Sequence, residues 1–348
     1  MKQRHISFSK IPQFRDVMRN VGHQALFVGL DENGEPIYDN AKIKPKIVFN
    51  ATVKLHGSNA SVCWKSDDND IWFQSRRKIL SLTEDNCGFT QFCTYRIETI
   101  KSLIEQAKLR VNEKDYILSI FGEICGGNIA KGVAISQLPK MFVIFALKVT
   151  PFDEERSAYY LDPTNLRSPE NQIYNIYDFP TFDVEVDFNY PEIAQSRFIE
   201  LVNAVEKECP VGKALGVTEG CTIGEGLVWT AEWNGTRHVF KTKGDQHSNT
   251  KVKKLASVNV EKVNSIREFV EYALTENRMN QAIFEVFGEE EPTIQRMGDF
   301  LRWLIKDIVD EESDTLEEND LSVKDIGRYI SNAARPWFQN LLNQKVGL

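Results

Sequence analysis

The chain has 348 residues, of which 42% are hydrophobic and 26% charged, a composition typical of globular proteins with two or three domains. No apolar run approaches the roughly 18–20 residues that span a bilayer, and the opening MKQRHISFSK lacks the apolar core of a signal peptide; we therefore expect a cytoplasmic protein with no membrane partner. The 18 acidic and 10 basic residues from Ala256 to Leu348 account for the whole net charge of −8, so the charge does not exclude a nucleic-acid partner for the first part.

The first 250 residues contain mainly short strand-like segments with a few helices. Runs rich in β-branched and aromatic residues predict strands at residues 47–64, 71–74, 116–120, 141–149, 227–233 and 238–241. A helix is predicted over Thr90–Leu109. The stretch Ser157–Pro180 is rich in Tyr, Asn and Pro and is predicted to be irregular.

The periodicity changes after about Thr250. Ser265–Glu268 has the pattern of a helix capping box, and an amphipathic stripe follows Thr293. A last helix is predicted from Ser322, with Pro336 expected to kink or break it. The sequence therefore predicts a mixed α+β domain in residues 1–250 and an all-helical C-terminal domain in residues 251–348, with an acidic stretch at 310–320 between two helices.

Basic clusters in the first part could bind phosphates, although each alone also fits an ordinary solvated surface. They lie at residues 42–46, 76–78, 241–243 and 251–254. The six cysteines include no CxxC pair, so we expect reduced thiols and no structural disulfide.

Lys54 lies inside NATVKLHGSNASVCW (residues 50–64), three residues before Gly57. The spacing alone carries little information, because Lys213, Lys241 and Lys324 also precede a glycine by three residues. Lys54 differs in following one strand-like run and opening into a second, a context that suits an amine presented at a strand end. The alternative is a lysine on the solvent face of a strand.

Further candidate site residues follow in order at predicted strand ends, except for Phe145, which lies inside a predicted apolar strand. They are Ser75-Arg76, Phe121-Gly122-Glu123, Phe145, Glu225-Gly226 and Lys241-Thr242-Lys243. Similar short patterns at Phe287–Glu289 and Glu219-Gly220 do not have the same strand context. Each element singly is more often structural, but their joint order and placement are hard to attribute to chance.

Lys54-Leu-His-Gly-Ser-Asn59 resembles motif I of the covalent nucleotidyltransferases, and its His and Asn are similar to those of the RNA ligase 2 family. The later segments resemble that family's motifs Ia (Ser75-Arg76, with Arg77 as the alternative), III (121–123), IIIa (142–147), IV (Glu225-Gly226) and V (241–243). The sequence departs at Ala146, where an acidic residue is common. The resemblance covers about residues 45–245 and implies an adenylyltransferase domain of antiparallel sheets with flanking helices, followed by the helical domain.

The resemblance implies an ATP-dependent RNA ligase that joins 3′-hydroxyl and 5′-phosphate ends through lysyl-AMP and RNA-adenylate, with Mg²⁺ or Mn²⁺. Lys54 would be the nucleophile, and Lys241 and Lys243 would act on the phosphates. A lysine amine has a pKa near 10.4 and is inert while protonated. We expect metal ions, the two other lysines and partial burial to favour its neutral form.

The resemblance also implies a nucleotide-binding set. Its members are Val53 (through its carbonyl), Lys54, Asn59, Arg76, Glu123, Phe145 (adenine stacking), Glu225, Lys241 and Lys243. Glu225 is in addition the candidate metal ligand, and Gly57 would let the backbone approach the nucleotide. His56 and Asn59 are expected to contact the RNA substrate in the later steps.

Two other functions are compatible with parts of this pattern. ATP-dependent DNA ligases and capping enzymes place a β-barrel after motif V, whereas this chain is predicted to be helical there. A non-catalytic RNA-binding module with a ligase-like fold is the alternative of another class, but apart from the departure at Ala146 no motif has lost its lysine or carboxylate. We expect a monomer whose partners are RNA ends, in a nicked or bridged duplex.

Overall fold

The computed structural model describes residues 3–127, 129–244, 266–288, 290–318 and 321–346. The strands of this part are β1 (Phe27–Leu30), β2 (Pro36–Tyr38), β3 (Lys46–Lys54), β4 (Ser58–Lys65), β5 (Ile71–Ser75), β6 (Tyr116–Cys125), β7 (Met141–Pro151), β8 (Tyr159–Leu161), β9 (Ile173–Asn175), β10 (Phe182–Asp187), β11 (Gly226–Trp233) and β12 (Thr236–Lys243). The helices are α1 (Phe14–Leu26), α2 (Phe89–Thr94), α3 (Ile97–Lys108), α4 (Pro191–Lys207), α5 (Pro210–Ala214), α6 (Ile266–Ala273), α7 (Glu276–Phe287), α8 (Met297–Glu311), α9 (Ser313–Glu318) and α10 (Val323–Val346).

The strands form three sheets. The largest has the order β5-β4-β6-β7-β8, with β9 also paired to β7. A four-stranded sheet has the order β10-β3-β11-β12, and β1 and β2 form a separate hairpin. The β3–β11, β4–β5, β4–β6, β6–β7 and β7–β8 pairs are antiparallel, and the β7–β9 pair is parallel.

The chain divides into two compact units. The first comprises Met1–Ile11, Asn50–Asp183 and Asn203–Thr230. The side chains of β4 and β6 are mostly buried on both faces of its largest sheet. One face carries an apolar cluster that includes Phe121 and Ile6. On the other, the ring of Phe89 from α2 lies 5.0 Å from that of Phe142 in β7.

The second unit comprises Pro12–Phe49, Val184–Val202 and Ala231–Leu348. An aromatic cluster joins α1 to β12, with the ring centroids of Phe14 and Phe240 separated by 4.9 Å. The apolar faces of α6, α7, α8 and α10 form a separate core, in which the rings of Phe300 and Trp337 stack at 6.0 Å. The amphipathic pattern after Thr293 is therefore the buried side of a helical bundle.

The prediction of an α+β fold with antiparallel sheets and C-terminal helices is confirmed, with local differences. The predicted strand at 47–64 is two strands separated at residues 55–57, and the predicted helix at 90–109 is two helices separated at Tyr95 and Arg96. Pro336 lies inside α10 and does not end it. Since Pro336 is exposed, the carbonyl group left without a helical donor can bind water instead.

Some predictions concern residues outside the described ranges. They are the Ser265 end of the capping box, the basic cluster at 251–254 and the domain division at 250/251. That division stays a prediction. All six cysteines are free thiols, and five of them are buried. Among the described residues, no helix has both the length and the apolar character required to cross a membrane.

Candidate active site

The register of β3 and β11 brings Lys54 next to Glu225. Lys54 is the last residue of β3 and lies opposite Gly226, the first residue of β11, and Glu225 directly precedes it. The buried Glu225 carboxylate accepts a hydrogen bond at 2.7 Å from Lys54 Nζ to its Oε2 atom. Two predicted site residues that are 171 positions apart in the chain are thus in direct contact.

His56 lies at the same carboxylate. Its Nδ1 atom is 3.2 Å from Glu225 Oε2, the oxygen that also accepts the hydrogen bond from Lys54. Because β3 ends at Lys54 and β4 begins at Ser58, His56 lies in the short link between these two strands. The residues resembling motifs I and IV therefore form one cluster of two bases and one acid.

The register of β4 and β6 adds a second carboxylate. Asn59 lies opposite Glu123, and the negative charge of Glu123 raises the pKa of Lys54. Arg76 directly follows β5, whose last residue, Ser75, lies opposite Ala60. The positive charge of Arg76 lowers the pKa of Lys54, which supports Arg76 as the site arginine.

The pKa of Lys54 is raised above its ordinary value. Burial is the largest single influence and lowers it, since desolvation penalises the ammonium, but the charges of Glu225 and Glu123 and the hydrogen bond from Glu225 outweigh burial. Our expectation that the surroundings favour the neutral amine is therefore wrong for the protein's own groups. The nearest charge is a carboxylate, and it holds the proton on Lys54.

The structure shows a reason for glycine at position 57 that differs from the expected approach of the nucleotide. A Cβ atom at this position would lie 2.4 Å from the Ile124 carbonyl oxygen and 2.8 Å from Cys125 Cβ. Both neighbours belong to β6, so a side chain here would push the β3–β4 link away from that strand. Glycine is thus required by the packing that places His56 and Asn59, whatever ligand the backbone meets.

Phe145 is partly buried in the apolar cluster on one face of the largest sheet. Its ring packs edge-on against Phe8, with centroids 5.2 Å apart and an interplanar angle of 70°. Val53 is buried and lies opposite Leu227. Our sequence reasoning missed Phe8; the only available signal was the alternation of Ile6 and Phe8 in the N-terminal segment.

Lys241 and Lys243 belong to the second unit. Thr242 between them is buried, whereas both lysines are partly exposed, so the two lysines share one face of β12 as predicted. Lys241 Nζ lies 2.8 Å from Glu311 Oε1 at the end of α8. Burial raises the pKa of Asp307 on the same helix, and the charges of both lysines oppose this rise. The sequence contained no signal that singled out Glu311 among its acidic neighbours.

The RNA ligase family model matches residues 47–243, which is more than half of the chain. A search of curated proteins finds none that matches this chain. Among solved structures, the chain is similar to those of Naegleria gruberi RNA ligase. A mutant of that protein with ATP and Mn has 17% sequence identity to this chain and a TM-score of 0.42. The structure of that protein with PPi has 16% sequence identity and a TM-score of 0.42. Each comparison covers 69% of this chain and 56% of the other, so this chain spans little more than half of their length. The family match includes all the site residues from Val53 to Lys243, and the chain belongs to the RNA ligase family.

Proposed function

We propose that the protein is an ATP-dependent RNA ligase in which Lys54 is the nucleophile. The observation that carries this proposal is the cluster of Lys54, His56 and Glu225, with a 2.7 Å contact between Lys54 Nζ and Glu225 Oε2. A surface lysine would not need a buried carboxylate at its amine, nor a second charged residue, Glu123, acting on it. Perturbed ionisable groups of this kind concentrate at functional sites.

The first reaction joins Lys54 to AMP. Lys54 Nζ, as the neutral amine, attacks the α-phosphorus of ATP, an N–P bond forms, and the bond to the bridging oxygen breaks as pyrophosphate leaves with the electron pair. The ammonium must first lose a proton to water, and Glu225 Oε2 opposes this loss by accepting a hydrogen bond from the ammonium. Any change that draws the charge of Glu225 away from Lys54 therefore lowers the pKa of Lys54 and favours the neutral amine.

A divalent cation fits the carboxylates at this site. Among the described residues, no group of three or more His, Cys, Asp or Glu side chains could hold a metal alone. Mg²⁺ usually binds one or two carboxylates and completes its shell with water and substrate phosphates, and Glu225 and Glu123 offer such oxygens. A bound Mg²⁺ or Mn²⁺ would neutralise phosphate charge and compete with Lys54 for Glu225.

The nucleotide and RNA contacts follow the family resemblance and stay predictions. Arg76, Glu123 and Asn59 are proposed for the ribose and phosphates, and Lys241 and Lys243 for phosphate charge. Phe145 and the Val53 carbonyl are proposed for adenine.

In the two later reactions, AMP passes to an RNA 5′-phosphate and a 3′-hydroxyl then displaces it. His56 and Asn59 are the proposed RNA contacts, and we propose nicked or bridged duplex ends as substrates. The cytoplasmic location and the monomeric state remain predictions.

The test is transfer of radiolabel from α-labelled ATP to the protein, read after denaturing electrophoresis. We expect the wild type to become labelled and Lys54→Ala to lose the label completely. Lys213→Ala and Lys324→Ala are matched controls, because both lysines are exposed and also precede a glycine by three residues. Label on Lys54→Ala would overturn the assignment of Lys54 as the nucleophile. Label from GTP instead of ATP would overturn the proposal that ATP is the nucleotide substrate.

A second assay tests the substrate class. The labelled protein is mixed with a nicked RNA duplex or a nicked DNA duplex, and joined product is measured. We expect joining of the RNA nick and loss of label from Lys54. If the protein becomes labelled but joins no RNA, it is an adenylyltransferase without ligase activity, and the ligase proposal is contradicted.

A further inference from the structure

The end of helix α8 supplies a carboxylate to one of the proposed phosphate-binding lysines. Glu311 Oε1 lies 2.8 Å from Lys241 Nζ, and the two side chains are only 15% and 20% exposed. An ion pair between fully exposed side chains contributes little and leaves both groups mobile. Here most of the surrounding water is excluded, so the pair gives the lysine amine a defined position.

Glu311 is itself held in place by its surroundings. Its backbone carbonyl lies 3.4 Å from Nη2 of Arg15 in α1. The next residue, Glu312, is fully buried, and its Oε2 accepts a hydrogen bond of 3.2 Å from the Tyr272 hydroxyl in α6. Helices α1 and α6 therefore fix the end of α8, and with it the direction from which Glu311 reaches β12.

Glu311 is distinguished from its acidic neighbours by its contacts. Asp310 is exposed, and the Glu312 carboxylate points to Tyr272, Arg15 and Arg278. Only the side-chain geometry of the folded helix separates these three consecutive acids. That geometry assigns Glu311 to Lys241.

We propose that Glu311 is a positioning residue for Lys241 in the adenylation of Lys54, an inference that rests on the proposed function. A lysine amine has three N–H donors on a flexible stem. One donor is engaged by Glu311, which leaves two for phosphate oxygens at a fixed place. Protein kinases use a comparable lysine–glutamate pair, in which the glutamate must be in place before the lysine can act on phosphate.

The experiment compares full-length Glu311→Gln, Glu311→Asp and the wild type in single-turnover adenylation of Lys54 at saturating ATP. Glutamine keeps the size of the side chain and removes its charge. We expect Glu311→Gln to be slower by about ten- to a hundredfold, the scale of a misplaced catalytic group. Glu311→Asp should recover part of the loss. Glu276→Gln, an exposed glutamate at the start of α7, is the matched control and should react at the wild-type rate.

A double variant separates positioning from general weakening of the fold. In Lys241→Ala the partner of Glu311 is gone, so adding Glu311→Gln should slow adenylation no further. A Glu311→Gln rate equal to or above that of the wild type would overturn the inference, as would independent effects in the double variant. If the wild type is labelled but Glu311→Gln is unaffected, only this inference fails. If the wild type takes no label, the proposed function fails, and the inference with it.

Discussion

At the scale of single residues, one carboxylate oxygen contacts two basic side chains. Glu225 Oε2 contacts both Lys54 Nζ and His56 Nδ1. The carboxylate thereby raises the pKa of Lys54 against the opposing effect of burial. The carboxylate thus favours the protonated form of the proposed nucleophile, which must lose its proton before it can react.

Glu225→Gln should lower the pKa of Lys54. The substitution removes a negative charge that favours the ammonium, while the burial that disfavours it remains. The measurement is the pH dependence of Lys54 acylation by an amine-reactive reagent, followed by peptide mass analysis. We expect the midpoint to move to lower pH for Lys54 and to stay in place for the exposed Lys213. An unchanged Lys54 midpoint would show that Glu225 does not control the proton.

At the scale of elements, the alternation of β12 separates two kinds of side chain. Lys241 and Lys243 lie on one face and are partly exposed, while Thr242 is 1% exposed on the other. Since side chains of a strand point alternately to opposite faces, substitutions at consecutive positions should affect different properties. The strand therefore contains its own internal control.

Lys241→Ala and Lys243→Ala should slow adenylation of Lys54 by about a hundredfold or more, the scale of losing one preorganised electrostatic contact. The melting temperature of Lys243→Ala should stay close to that of the wild type, whereas Lys241→Ala should melt at a lower temperature because it leaves the partly buried Glu311 without its ion-pair partner. Thr242→Ala should do the reverse of Lys243→Ala, with a near-normal rate and a loss of about 1 kcal/mol in the free energy of unfolding. Single-turnover kinetics and melting are measured on the same samples. Near-normal rates in both lysine variants would remove a main support for the proposed function.

At the scale of the whole molecule, the second unit buries a group of charges. Arg278 is fully buried and donates to the Ala273 carbonyl at 2.6 Å. Its Nε atom lies 3.1 Å from Asp307 Oδ2, but neither atom is aligned for a hydrogen bond. Burial raises the pKa of Asp307 and of Glu312, and the charge of Arg278 opposes both rises. Without Arg278, the buried Glu312 and the partly buried Asp307 would lose their main compensating charge.

Arg278→Met should therefore cost about 3–5 kcal/mol of unfolding free energy near neutral pH, as does breaking a buried ion pair from one side. A carboxyl whose pKa is higher in the folded than in the unfolded state contributes stability at low pH and loses it as the pH rises through the folded pKa. The deficit relative to the wild type should thus be smaller at about pH 5.5 than at about pH 7.5. Denaturant unfolding at both values measures it, with the exposed Arg302→Met as control. An equal deficit at both pH values would contradict this reading.

Much of the site could be predicted because its signals are local. The run from Lys54 to Asn59 and most of the later short motifs lie near strand ends, and hydrophobic periodicity located the strands and the C-terminal helices. Side-chain alternation alone predicts that Lys241 and Lys243 share one face of their strand. The family assignment depends on this order of residues, and the match over residues 47–243 agrees with it.

Other features depend on which distant residues meet. The contact of Lys54 with Glu225 follows from the register of β3 and β11, and it reverses the expected direction of the Lys54 pKa. Gly57 is required by the closeness of β6. Among the acids after residue 309, only the folded helix selects Glu311 as the partner of Lys241. Composition and spacing determine which groups the chain can offer, but pKa values and ion pairs depend on distances between residues far apart in sequence, which tertiary packing alone decides.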